Sequence, residues 1–213
     1  MSLPADPNPD ALSEATALAR AKRLLADNRE GTVAFEGAFI PFKCIRSPKG
    51  GHLIASVPVA LLMADEVIAF LPEERDDALQ LLLTAEQVEE SALTDRFLAY
   101  FPEPEHVRWA ELWIDAGRLN EYVFDGDALM TPNALAGEEI PLLRVLNEDK
   151  GALKRACATH CTTEVAEPLA VGVDELGVDI RAHFGIVRLP FADAITDADA
   201  ARAHIESILR GDA

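Results

Sequence analysis

Hydrophobic positions follow two different periods along this chain. Leu142, Leu146, Leu153 and Cys157 recur at steps of four, seven and four, which is one face of a 3.6-residue period, while Arg144, Glu148, Lys154 and Arg155 fall on the other side. The spacing predicts one helix over residues 140–157. Pro141 suits its first turn, and Glu138 and Glu139 suit its positive end. After residue 168 the pattern becomes that of strands: residues 169–174, a turn at 175–177, a returning strand at 178–181 and a third at 186–191. Thr196, with Asp199 three positions on, then opens an amphipathic helix through Ala200, Ala203, His204, Ser207 and Ile208 that Gly211 ends.

The first 135 residues are richer in strand signals. Residues 1–9 have three prolines' worth of punctuation with Asp10 nearby, and neither a basic start nor an apolar run, so they form a loose leader rather than a signal peptide. Asp10 or Ser13 can cap a helix to about residue 26, with Arg20, Lys22 and Arg23 towards its negative end. Residues 31–40 predict a strand in which Gly37 marks a bulge or turn. Residues 42–46 and 52–57 predict a hairpin around the turn at 47–51. Residues 59–64 form a short helix or turn, and 66–71 a strand. The apolar run at 79–88 is not decided between helix and strand by periodicity. Ser91 caps a helix to about Tyr100. Residues 107–114 alternate, with Val107, Trp109, Glu111 and Trp113 on one face, and 119–124 form a further strand. Composition shifts at 132–137. These readings predict an α+β protein with units at residues 10–136 and 138–211.

Composition narrows the function classes. With 37 acidic and 19 basic residues the net charge is −18. Such a surface repels phosphate backbones and anionic lipid, so no nucleic-acid or membrane partner is expected. The longest apolar run, residues 57–63, is too short to cross a bilayer. Three cysteines, Cys44, Cys157 and Cys161, suggest no disulfide framework, which fits a reducing cytoplasm. Nucleotide fingerprints, the zinc-protease motif and the nucleophile elbow are absent.

Four groups could carry chemistry. Lys43, Arg46, Lys49, His52 and Ser56 cluster on the first hairpin, where they either hold a phosphate or guard a solvated sheet edge. Alternation puts Lys43 on the face opposite Arg46. Cys157, His160 and Cys161 could offer soft metal ligands within one helical turn, or be structural. His160 and His183 stand out among five histidines as candidate iron ligands. Trp109 and Trp113 share a strand face and either wall a planar ligand or pack an interface. No nucleophile–base–orienter set can be assembled, so no catalytic residue is assigned.

Three motifs occur in order: Leu-Asn-Glu-Asp-x-x-Ala-Leu from Leu146, Val-Asp-x-x-Gly-x-Asp-Ile-Arg from Val173 and Val-Arg-Leu-Pro-Phe from Val187. Together with the acidic helix that follows, they resemble the small α/β domain that accompanies FMN-binding split barrels in the haem-utilisation family. The strand-rich first part, entered by a helix, is similar to the split barrel of the pyridoxamine-phosphate-oxidase type, and residues 94–102 resemble the helix between its strands. The resemblance implies an FMN-binding split β-barrel followed by a small α-β-β-β-α domain, a homodimer, and flavin or haem at the dimer seam. On it, Lys43, Arg46 and Ser56 would hold a flavin phosphate, and His160 or His183 haem iron. Two departures matter. Lys150 stands where the family has a histidine, and residues 57–64 lack the histidine and asparagine that flavin binders carry after the serine. The leading expectation is therefore a haem or tetrapyrrole-binding protein without standard FMN binding. An FMN-dependent oxidoreductase and a ligand-free protein-interaction module are the alternatives.

Overall fold

The computed structural model describes residues 13–161 and 163–211. The expected leader and Asp10 lie outside them. Ser13 caps α1 (Glu14–Asp27) by accepting the Thr16 N–H on its hydroxyl. Ala17, Ala21 and Leu25, each four residues apart, are its buried stripe. None of its cations sits in the last turn, contrary to expectation; Arg23 instead reaches out to the Phe191 carbonyl.

Residues 31–40 form two strands rather than one. Glu36 (φ 49°) and Gly37 (φ 76°) make the tight turn between β1 (Glu30–Phe35) and β2 (Ala38–Lys43), a left-handed pair that suits a hairpin's twist. The expected strand at 42–46 is interrupted at Cys44, whose N–H bonds the Arg29 carbonyl, and resumes as β3 (Ile45–Arg46). The chain then turns through Ser47–Gly51 into β4 (Leu53–Val57), followed by α2 (Val59–Leu62) and β5 (Val67–Leu71). The undecided apolar run is a strand, β6 (Leu79–Val88), because it is paired on both edges, to β5 and to β7 (Arg108–Leu119). Between β6 and β7 lies α3 (Ala92–Tyr100), closed by a reciprocal Ser91–Thr94 capping box. The ladder with β6 carries β7 to Arg118, past the expected end at 114. Asn120 (φ 54°) then turns the chain into β8 (Tyr122–Asp125) and α4 (Gly126–Leu129).

These eight strands form one curled antiparallel sheet in the order β2-β1-β5-β6-β7-β4-β3, with β8 on β7. Its first apolar cluster gathers the inward residues of every major strand, such as Val33, Leu53, Leu81 and Leu112, and α1 packs over it.

The helix expected over 140–157 is two helices. Asp149 leaves helical geometry (φ −115°, ψ 94°) and its carboxylate accepts the Ala152 N–H, so α5 (Glu139–Glu148) stops and α6 (Lys150–His160) starts afresh. A three-stranded antiparallel sheet follows: β9 (Leu169–Asp174), β10 (Gly177–Ala182) and β11 (Gly185–Pro190), with β10 central. The last helix, α7 (Ala198–Arg210), is capped by Asp197 rather than Thr196 and ends on left-handed Gly211. Leu142, Leu146, Leu153, Ile180, Phe191 and Ile205 belong to the second cluster. A third, smaller cluster joins the two sheets: Phe97 and Tyr100 of α3, with Phe101 just after it, meet Ile45, Ile54 and Val171.

Gly126 tests the closeness of this packing. A Cβ there would lie 1.6 Å from the Ile114 carbonyl oxygen, which belongs to rigid sheet backbone. Gly126→Ala is expected to lower unfolding free energy by about 3 kcal/mol or more, read by urea denaturation. An unchanged midpoint would contradict the α4–β7 contact.

Candidate functional site

Where the two sheets meet, the charges are buried and paired. Arg29, just after α1, donates from Nε and Nη2 to Asp179 Oδ2 at 3.0 and 2.8 Å, and from Nη2 to Asp174 Oδ2 at 3.4 Å. Arg188 on β11 donates to Asp179 Oδ1 at 2.8 Å, to Asp27 at 2.9 Å and to Asp174. The Tyr100 hydroxyl donates to Asp179 at 3.1 Å. Arg96 forms a fork with Glu139 at 2.6 and 2.7 Å, and Glu139 also accepts the Val173 N–H. Burial alone would raise the Asp179 carboxyl, but Arg29 and Arg188 outweigh it and hold the group below the usual carboxylate range. Burial and the Asp179 charge together push the Tyr100 phenol well up, so it stays a neutral donor. This set is structural: its members bond one another, with Arg96 Nε left without a partner, and they leave a crevice of about 20 Å³, room for a water.

A larger opening lies elsewhere on the second sheet. The start of α6, the segment leading into β9 and the end of β10 enclose a groove of about 660 Å³, within the range of small-molecule sites. Lys150, Lys154 and Arg181 supply its cations, and His183 stands beside them in the β10–β11 turn. Pro168, Leu169 and Ala182 give it apolar walls. Glu167 is the one acid on its lining. In a chain of net charge −18 this is a local reversal of sign. Arg181 is held in place by donating from Nη1 to the Ala99 carbonyl at 2.5 Å, near the negative end of α3. His183 is exposed, and Phe184 packs edge-on against it at 4.9 Å. The groove can take a ligand with negatively charged groups, an apolar body and a position for one imidazole.

The residues singled out by sequence fall in separate places. Lys43 and Ser56 share a cleft of about 10 Å³ with Phe97, Phe101 and His106. There the Lys43 ammonium contacts Glu105 at 2.5 Å and lies over the Phe101 ring. Arg46 points away from them and donates to the Thr131 carbonyl at 2.9 Å on the side of the buried charges. His160 ends α6, exposed, and does not line the groove that holds His183. Trp109 and Trp113 do share a face, but they serve different neighbours: Trp109 meets Phe97 edge-on at 5.3 Å, and Trp113 lies against the His52 ring at 4.4 Å. Burial keeps His52 below its ordinary pKa, opposed by Glu111. Among the described residues no group of three or more His, Cys, Asp or Glu could hold a metal ion. Sequence reasoning missed Lys154 and Arg181, whose meeting with His183 depends on the packing of α6 against the sheet. It also missed Asp179, though an aspartate between Val178 and Ile180 inside a strand is a signal of a buried charge partner.

No family model and no curated protein matches this chain. Solved structures do. A protein of unknown function from Agrobacterium tumefaciens is similar with a TM-score of 0.70 at 16% identity, over 95% of this chain and 99% of that one. A heme binding protein from Mycobacterium smegmatis matches with a TM-score of 0.41 at 18% identity, over 92% of this chain and 97% of that one. The first likeness shows that the whole α+β arrangement is a fold found in another protein. No described helix is long and apolar enough to cross a membrane.

Asp179 is the keystone of the buried set. Asp179→Ala would take from Arg29 and Arg188 one of the two carboxylates they share, leaving only Asp174 between them, and is expected to cost about 3–5 kcal/mol in urea unfolding. The pH dependence follows from the depressed carboxyl. Its folded pKa lies below its unfolded one, so its contribution is fully present above the ordinary carboxylate pKa near 3.8 and is lost as pH falls below it, towards the folded value. A wild-type acid limb of the stability curve that Asp179→Asn leaves unchanged would refute this.

Proposed function

We propose that this protein binds haem or a related tetrapyrrole in the groove between α6 and the second sheet. The observation that supports it is the convergence of His183 with Lys150, Lys154 and Arg181 around a groove of about 660 Å³. Tetrapyrroles of this class carry carboxylates on a flat apolar ring. Cations at the rim suit the carboxylates, Leu169 and Pro168 suit the ring, and a neutral imidazole suits iron. Lys150, at the position where the resembling family has a histidine, serves here as a carboxylate partner, and His183 supplies the nitrogen. His160, at the far end of α6, is the second candidate ligand.

The scaffold for this reading is a split β-barrel at residues 10–136 followed by the α/β unit at 138–211, paired as a homodimer in a reducing compartment. Standard FMN binding is not part of it. Lys43 is already neutralised by Glu105, Ser56 faces a cleft of about 10 Å³, and Arg46 lies on another side, so the three do not converge on one phosphate.

Haemin titration followed by absorption tests the reading. Wild type is expected to give a saturable Soret change. His183→Ala should shift the Soret maximum, while His160→Ala leaves it in place. Lys150→Gln with Lys154→Gln should weaken binding roughly tenfold, about 1.4 kcal/mol for two partly exposed ion pairs. No saturable Soret change, or saturable FMN uptake in its place, would overturn it.

A further inference from the structure

One pair of groups is used neither by the fold's charge network nor by the groove. Cys157 is fully buried in the second cluster, and Cys161 is half-exposed at the end of α6, where its N–H bonds the Cys157 carbonyl at 2.8 Å. All three cysteines are free, and Cys44 lies in the other cluster, beneath the curled sheet. The two thiols influence one another electrostatically, which places the side chains side by side. Positions four apart in a helix put their Cα atoms about 6 Å apart, inside the span a disulfide bridges. Cys161 ends its helix in extended backbone (φ −103°, ψ 145°) and its N–H closes the last bond of the helical ladder, so its side chain stands at the helix end and not in mid-helix.

We propose that Cys157 and Cys161 are a reversible dithiol, a modification site that a small-molecule disulfide of the glutathione class converts to an intramolecular bridge. The roles of the two sulfurs are distinct. Cys161 is the reachable one, half-exposed at the helix end, while Cys157 is buried beneath it. The Cys161 thiolate attacks one sulfur of the external disulfide. A mixed disulfide forms and one small thiolate leaves. Cys157 then gives up its proton, attacks the Cys161 sulfur and expels the second thiolate. One protein dithiol is oxidised and one small disulfide is reduced to two thiols. The thiolate is the attacking form of a cysteine, so the exchange runs faster as pH rises.

The bridge would pin the end of α6 to the first residue of the segment that leads through Ala166 and Pro168 along the groove wall. The chemistry does not depend on what the groove binds.

The test is intact mass of the folded full-length protein incubated with oxidised glutathione at two alkaline pH values and quenched with acid. Wild type is expected to lose two hydrogens, with a cross-linked Cys157–Cys161 peptide, faster at the higher pH and reversed by dithiothreitol. Cys157→Ala should instead accumulate a stable glutathione adduct on Cys161, and Cys161→Ser should react with neither outcome. A persistent adduct on the wild type, a bridge involving Cys44, or reaction only after denaturation would overturn the proposal.

Discussion

The structure depends on one carboxylate placed where two sheets meet. Asp179 sits in the central strand of the smaller sheet, yet its partners come from both ends of the chain: Arg29 after the first helix, Tyr100 on α3 and Arg188 on β11. An ion pair of this kind gives little net stability over an apolar replacement, because taking the charges out of water costs about as much as their attraction returns. Its effect is on geometry. An arginine fork and a tyrosine hydroxyl satisfy Asp179 only in one relative placement of the sheets, whereas the apolar contacts of Ile54, Phe97 and Val171 beside it would tolerate small slides.

That arrangement separates the molecule into a tightly fixed joint and a more open periphery. The joint is lined mostly by groups that bond to one another, with the Nε atoms of Arg46 and Arg96 left over. The groove at the start of α6 is lined by cations that mostly do not, apart from the Arg181 contact to Ala99. Free donors on a protein this acidic are where an anionic ligand gains most, since elsewhere the surface repels it. The break at Asp149 is part of the same design. A continuous helix would carry Lys150 and Lys154 on the line set by α5, and the new cap frees α6 from that line.

Much of the fold was legible in local chemistry. Ser13, Ser91 and Gly211 marked helix ends because each satisfies backbone groups at a terminus, and the strands at 169–174 and 178–181 announced themselves by β-forming residues around a turn. What was not legible came from partners distant in sequence. The run at 79–88 became a strand only through pairing on both edges, and β7 outlasted its alternating pattern for the same reason. The candidate site divides likewise. His183 could be named from sequence, but Lys154 and Arg181 carry no local mark and join it only in three dimensions. The basic cluster of the first hairpin dispersed, with Lys43 at the end of β2 and Arg46 on β3 beyond the break at Cys44.

Gly172 on β9 shows how firmly the two parts are tied. A Cβ at that position would lie 1.7 Å from the Tyr100 hydroxyl, so the ring passes over the strand only because the strand has nothing there. The two positions are therefore ordered in any history of substitution. Tyr100 can be lost while Gly172 remains, but a side chain at 172 is tolerated only after the ring has gone. Once that side chain is in place the tyrosine cannot return, and the Asp179 contact is closed to the lineage that took that step.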